Sequence, residues 1–230
     1  MAAVPGDVAS ALSDPARAQD AKVDARRHAA ELVAFAHIRP GDTVVDLIPG
    51  SGYWTRIFSQ VVGPRGHVYA IWPNEYIKDD HDDFVLTQLL AKDPHYANVT
   101  LLSQPAAQFS VPKKVDVVWT SQNYHDYPDK FMGKVDPQVL DRAVYGALKP
   151  GGLFVVVDHV AQAGSGMRDT DTLHRIDPQI VKAQVTAAGF QFDGASDVLR
   201  NPADDHTLQV FNPAIRGHTD QFSFRFRRTR

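Results

Sequence analysis

Two adjacent acid–imidazole pairs stand at the ends of apolar runs in this sequence. His125-Asp126 lies in the polar aromatic stretch that follows Val115 to Thr120, and Asp158-His159 closes the run Leu153 to Val157. Histidine is the side chain most easily tuned to take up a proton near neutral pH, so either pair suits proton handling beside a substrate. His125 is the expected base or acceptor-orienting group, with Asn123 and Tyr124 shaping the pocket. Together with Asp204, Asp205 and His206, the same residue types also suit Mg, Mn or Zn. No short ligand spacing such as His-x-x-x-His is present, so no metal site is expected.

A second stretch carries a different chemistry. Val44 to Ile48 is an apolar run that includes Asp46, and Pro49-Gly50-Ser51-Gly52 then leads into a helical pattern. This reads as a buried strand, a tight turn and the first turn of a helix. Glycine at 50 and 52 lets backbone approach a ligand, and the helix offers unpaired N–H groups at its positive end. An ordinary strand-to-helix connection would share the pattern.

The elements that must hold these groups follow in order. Residues 5 to 20 suggest a short helix and an irregular arm outside the core. A helix from Asp24 carries Leu32, Val33, Phe35 and Ile38, and stops at Arg39-Pro40-Gly41. The helix from about Gly52 to Val62 ends at Gly63-Pro64. A strand from His67 to Trp72 is closed by Pro73-Asn74-Glu75, and a helix runs from about Asp80 to Lys92. Strands at Val99 to Leu102, Val115 to Thr120 and Leu153 to Val157 follow, with helices opened by Asp136-Pro137 and Asp177-Pro178. Phe190 to Leu199 and Gln221 to Arg228 alternate as an edge hairpin would. Strands alternating with helices, with continuous apolar runs in the first five strands, predict an α/β fold with a mostly parallel sheet covered on both faces.

Composition narrows the classes. The chain has 230 residues, 43% of them apolar, and a formal charge of −3, which fits one core and a single domain: a helical segment over 1–39 and a sheet domain over 40–230. Mixed acids and bases give no field for nucleic acid or anionic lipid, and the basic run Arg225 to Arg230 reads as the solvated face of a strand. Cysteine is absent, which excludes disulfides, thiolate metal sites and a cysteine nucleophile. No run reaches the roughly 18 apolar residues of a membrane span. Met1-Ala2-Ala3-Val4-Pro5 lacks the basic region and apolar core of a secretory leader, and equally suits a mature chain.

Three segments in this order resemble the class I methyltransferases that use S-adenosylmethionine. Asp46 to Gly52 is similar to their first motif. Asp116-Val117-Val118 with Asn123 to Asp129 is similar to the fourth-strand segment of the ubiquinone and menaquinone C-methyltransferases, and Leu148-Lys149-Pro150-Gly151-Gly152-Leu153 to the turn before the fifth strand. The whole chain also resembles a family of bacterial methyltransferases of unassigned substrate, which share the blocks 119–126, 173–177 and 200–207. Many of these begin with a secretory leader, which implies the periplasm, whereas the cofactor implies the cytoplasm.

The resemblance implies a Rossmann-like seven-stranded sheet with an antiparallel last strand, S-adenosylmethionine as cofactor, and methyl transfer to a small-molecule acceptor, mainly by alignment, with a histidine assisting deprotonation. It places the cofactor against Asp46, Ile48, Pro49, Gly50, Gly52 and Ser121. Trp72, Asn74 and Glu75 stand where an acid normally holds the ribose, and Ser103 and Gln104 where another faces adenine. Ligands of open α/β sheets lie beyond the carboxyl ends of the strands, which sets His125, Asp126, Asp158 and His159 on the rim of the same cleft. The blocks around His174 and His206 are expected to fold over it. Two other readings stay open: a non-catalytic nucleoside- or metabolite-binding protein on a degenerate methyltransferase scaffold, and a nicotinamide oxidoreductase, for which Glu75 stands 23 residues beyond Gly52.

Overall fold

A computed structural model of the chain describes residues 4–229. The reading of Met1 to Ala3 as leader or mature start therefore lies outside the described residues. Seven strands form one sheet: β1 (Thr43–Leu47), β2 (His67–Pro73), β3 (Val99–Gln104), β4 (Val115–Ser121), β5 (Leu148–His159), β6 (Phe190–Ser196) and β7 (Gln221–Arg228), in the order β3-β2-β1-β4-β5-β7-β6. Nine helices accompany it among the described residues: α1 (Gly6–Leu12), α2 (Ala18–Ala21), α3 (Ala29–Phe35), α4 (Tyr53–Val62), α5 (Asn74–Asp79), α6 (His81–Leu90), α7 (Pro137–Ala147), α8 (Thr170–Leu173) and α9 (Pro178–Ala187). None is long and apolar enough to cross a membrane.

β1 pairs in parallel with β2 on one side and β4 on the other, matching Val45 with Tyr69 and with Val118. The strand order reverses at this point, so a crevice opens beyond the carboxyl ends of β1 and β4. Both faces of the central strands are covered, which is why they read as unbroken apolar runs. Trp54, Ile57, Phe58, Val61 and Val62 of α4 are all buried on one face of the sheet. Full burial of a side chain such as Phe58 contributes about 1.5–3 kcal/mol. Asp136 and Asp177 cap α7 and α9 as their Asp-Pro sequences predict: each carboxyl accepts the N–H of the residue two positions on.

The structure departs from the sequence expectations in three places. Val8 and Ala11 of α1 are buried against the α4 side of the core, so the N-terminal segment is a packed element rather than an irregular arm. Its anchor is Asp24, which accepts hydrogen bonds from Arg17 and from the Tyr53 hydroxyl, and α3 begins only at Ala29. After β2 the chain enters α5 at once, with Pro73 as the residue before the helix, instead of looping to a helix at Asp80. β5 begins at Leu148, which pairs with Val115, and reaches His159, so it is far longer than five residues.

The last two strands form the expected antiparallel hairpin at the edge of the sheet. β7 is antiparallel and inserted between β5 and β6, leaving β6 at the edge. Its outward arginines are not free: Arg225 and Arg227 both donate to the Asp193 carboxyl on β6.

Candidate active site

The turn after β1 is unusual at its first residue. Ile48, standing where glycine is expected, has a left-handed backbone with φ 57°, a conformation that costs a β-branched residue about 1–2 kcal/mol. It is held there by its N–H, which donates to Ile71 O at 2.8 Å, and by burial of its side chain. Gln122 after β4 (φ 65°) and His174 after α8 (φ 54°) share this conformation, and all three border one cavity. Strain of this kind persists where surrounding structure enforces it, and it clusters at functional sites.

The cavity measures about 730 Å³ and lies beyond the carboxyl ends of β1, β4 and β5. Ile48, Pro49 and Gly50 form one wall, and Asn123, His125, Asp126, His159 and His174 form another. Acids from the α5–α6 corner, Asp79, Asp80 and Asp83, line a third side, and Arg27 and Arg216 reach in from elsewhere. This volume is in the range of sites that enclose a drug-sized ligand.

The floor is a compact ionisable cluster. The Asp158 carboxyl lies 2.8 Å from His125 Nδ1 and also accepts the backbone N–H groups of His125 and His159. On the other side of the ring, His125 Nε2 is 3.1 Å from Asp126 Oδ1. Burial opposes charge on His125, but the carboxylates of Asp126 and Asp158 outweigh it and push the imidazole well above its usual value. Burial likewise raises Asp126, yet the His125 cation brings it down to about 2. His159 behaves oppositely. Desolvation drives it down to about 3, with the neighbouring His125 cation adding to the fall, and its Nδ1 is 2.8 Å from Thr219 Oγ1. His174, partly exposed, sets its ring edge-on to His125 with Nδ1 3.8 Å from Asp126 Oδ1.

Of the residues expected from sequence, Ile48, Pro49, Gly50, Ser121, Asn123, His125, Asp126 and His159 do border this cavity. The others do not. Asp46 is buried beneath the turn, where it accepts the Thr55 hydroxyl at 2.6 Å and burial pushes its carboxyl up to about 7, so it ties strand to helix. Gly52 faces α6, where Leu90 would lie 2.6 Å from an added Cβ; glycine is needed there for helix packing. Trp72 is buried under Tyr76 and Phe84. Asn74 is exposed, and Glu75 turns away to accept the Ala106 N–H at 2.9 Å.

Ser103 is exposed, while Gln104 borders a small separate hollow walled by Phe109 and Tyr127. Tyr124 is fully buried and donates to Asp141, away from the opening. Asp158 sits below the rim as a holder of His125 rather than on it. His174 joins the site as expected, but His206 binds Asp220 on the other side and Asp204 pairs with the buried Arg175. The imidazole expected to act as a base is thus engaged at both nitrogens.

Sequence reasoning missed Arg27, Tyr76, Asp80, Asp83 and Phe211, all of which border the cavity. Arg27 lies over the Tyr53 ring at 4.4 Å, and among the described residues no carboxylate is within ion-pair distance of it. The cluster Asp79-Asp80 with Asp83, at the corner that follows the second strand and α5, was a legible signal of displaced acids.

No family model matches the chain. It is 27% identical over 181 residues to the ubiquinone/menaquinone biosynthesis C-methyltransferase UbiE of Legionella pneumophila strain Lens, covering 77% of this chain and 67% of that one. Its fold matches a SAM-dependent methyltransferase from Aquifex aeolicus with a TM-score of 0.63 at 16% identity, over 97% of this chain and 99% of that one. The glycopeptide N-methyltransferase MtfA, solved with S-adenosylmethionine, matches with a TM-score of 0.56 at 15% identity, over 86% and 85% of the two chains. At those identities the solved structures speak for the fold, and the relationship in sequence comes from the UbiE-type protein. The seven-stranded sheet of this chain thus has the fold of S-adenosylmethionine-dependent methyltransferases, and its sequence is similar to that of a UbiE-type C-methyltransferase.

Proposed function

We propose that this chain transfers a methyl group from S-adenosylmethionine to a small-molecule acceptor held against the histidine floor of the cavity. The observation that carries this reading is the joining, in one opening, of the Ile48-Pro49-Gly50 turn with His125, Asp126, His159 and His174.

The residues present fit the cofactor. Arg27 supplies a cation, without an acidic partner among the described residues, for the amino-acid carboxylate. Trp54 Nε1 and Asn123 Oδ1 are buried without a hydrogen-bond partner, and both side chains border the cavity, one a donor and one an acceptor. Asp80 and Asp83 offer carboxylates for ribose hydroxyls in place of Glu75. Bound there, S-adenosylmethionine supplies a methyl group activated by its sulfonium.

The chain's own contribution is alignment, which can be worth roughly 7–11 kcal/mol. His125, locked between Asp126 and Asp158, orients the acceptor and does not take its proton. His159, pushed down to about 3, is neutral and a weak base. An acceptor that is already a good nucleophile, or carries an acidic proton, suits such a site. Tyr76, Phe131 and Phe211 give it flat apolar flanks.

Calorimetric titration with S-adenosylmethionine and with its demethylated product tests the reading, followed by incubation with methyl-labelled cofactor and fractionated small-molecule extracts. Saturable heat with both ligands and label in a small product are expected. Folded protein that gives heat with neither would overturn the proposal.

A further inference from the structure

The same cavity floor that faces the acceptor carries a set of metal-ligating groups. His125 Nε2, Asp126 Oδ1 and His174 Nδ1 converge from two separate loops, and one donor atom from each lies within 4.8 Å of the others. The adjacent separations are 3.1 Å from His125 to Asp126 and 3.8 Å from Asp126 to His174. Ligand bonds of about 2.0–2.2 Å place neighbouring donors about 3 Å apart at right angles and about 3.4 Å apart at tetrahedral angles, so these spacings need adjust by only a few tenths of an ångström. The 3.8 Å gap is too wide for a hydrogen bond.

Two features distinguish this cluster from a chance gathering of polar groups. His125 and Asp126 are each only 2% exposed, so their donor atoms have little water to satisfy them. His125 Nδ1 is turned onto Asp158, and that carboxyl is itself fixed by two backbone N–H groups. A carboxylate holding the far nitrogen of a histidine is the arrangement that presents the near nitrogen to a metal ion. The left-handed backbone of His174 brings the third donor in, and that strained residue has no other polar partner for its ring among the described residues.

We propose that His125, Asp126 and His174 bind a divalent first-row transition ion at the cavity floor, with its remaining coordination positions open to an oxygen of the acceptor. Two imidazoles and one carboxylate favour manganese, iron, cobalt or zinc over magnesium or calcium, which prefer all-oxygen sites. Binding replaces the His125 to Asp126 contact, and the two side chains then share the ion. The site stands independently of the cofactor, because neither Arg27 nor the Ile48 turn takes part.

The test uses the full chain stripped with a chelator and no S-adenosylmethionine. Titration with Co²⁺ should give visible absorption bands saturating at one ion per chain, displaced by Zn²⁺ and not by Mg²⁺. His174→Ala, at a partly exposed position, should keep the fold by circular dichroism and weaken Co²⁺ binding at least 100-fold, and Asp126→Asn should do the same. His206→Ala, on the far side of β5, should bind as the parent does. Absence of bands from folded parent protein at 1:1 or higher Co²⁺, or bands unchanged in His174→Ala, would overturn the site. Cofactor calorimetry on the same stripped sample reports separately on the methyltransferase reading.

Discussion

Asp158 and His125 form the buried contact on which the site is built: the carboxyl lies 2.8 Å from Nδ1 and also accepts the His125 backbone N–H at 2.9 Å. Asp158 therefore fixes both the main chain and the ring of the same residue. Because it is fully buried and does not border the cavity, its loss should register in stability and leave cofactor affinity nearly unchanged. Asp158→Ala should cost about 3–5 kcal/mol, since it leaves a buried imidazole and two N–H groups without an acceptor. Denaturant unfolding and cofactor calorimetry of the variant check both halves.

Arg27 is expected to matter for binding more than for folding. Arg27 borders the cavity with its guanidinium over Tyr53, and among the described residues it has no acidic partner. A hydrogen bond to a charged ligand group contributes about 1.5–3 kcal/mol, so Arg27→Ala should weaken S-adenosylmethionine about 10- to 100-fold. Arg27→Lys should recover part of the loss. Equal affinity in all three proteins would exclude Arg27 from the carboxylate end.

On the proposed reading, the acid that serves the ribose stands at the corner of α5 and α6 instead of at the end of β2. Glu75 is committed to the Ala106 N–H, whereas the Asp83 carboxyl comes within 3.4 Å of where a Cβ on Gly50 would sit. Asp83→Asn should lower cofactor affinity about tenfold, the value of one charge-assisted hydrogen bond. Glu75→Gln should bind normally. The opposite ranking would restore Glu75 to the site.

Ile48 offers a test of stored strain. Replacement by alanine removes the buried side chain and keeps the left-handed penalty, while glycine removes both. Ile48→Gly should therefore be more stable than Ile48→Ala by about 1 kcal/mol, reversing the order found at ordinary positions. Unfolding midpoints of the two variants decide it.

Asp46 should make stability depend on pH. Burial raises its carboxyl from 3.8 to about 7 in the fold. Below about pH 3 both folded and unfolded chains hold the proton and its contribution is complete. As pH rises from there, the unfolded chain ionises first and stability falls until about pH 7, by up to about 4 kcal/mol. Asp46→Asn keeps an acceptor for the Thr55 hydroxyl and should flatten this slope. Parallel stability profiles from pH 4 to 8 would assign the dependence to other groups.

How far the sequence reached depended on the range of the interaction concerned. Unbroken apolar runs placed β1, β2 and β4 to within a residue or two, since both faces of a central parallel strand are buried and its composition says so directly. The Asp-Pro starts of α7 and α9 are local hydrogen bonds between neighbours, and they too were legible. By contrast, α5 follows β2 directly: Pro73-Asn74-Glu75 marked the end of the strand but gave no sign that a helix begins at once. Alternation marked β6 and β7 as an edge hairpin but could not say which of the two lies against β5, because it reports one wetter face and names no neighbour.

The sequence by itself determined the class of fold, the glycine-bearing turn after β1 and the identity of the histidines and acids available for chemistry. Tertiary structure alone decided which of them share a cavity. Tyr124, one position before His125, points into the core at Asp141, whereas Arg27 and His174, distant from it in the chain, come to the same opening. Only packing could turn His125 from an available base into an imidazole engaged at both nitrogens, because its partner Asp158 arrives on a different strand, 33 residues away. Electrostatics in a buried site is set by what the fold brings within a few ångströms, and spacing along the chain does not record that distance.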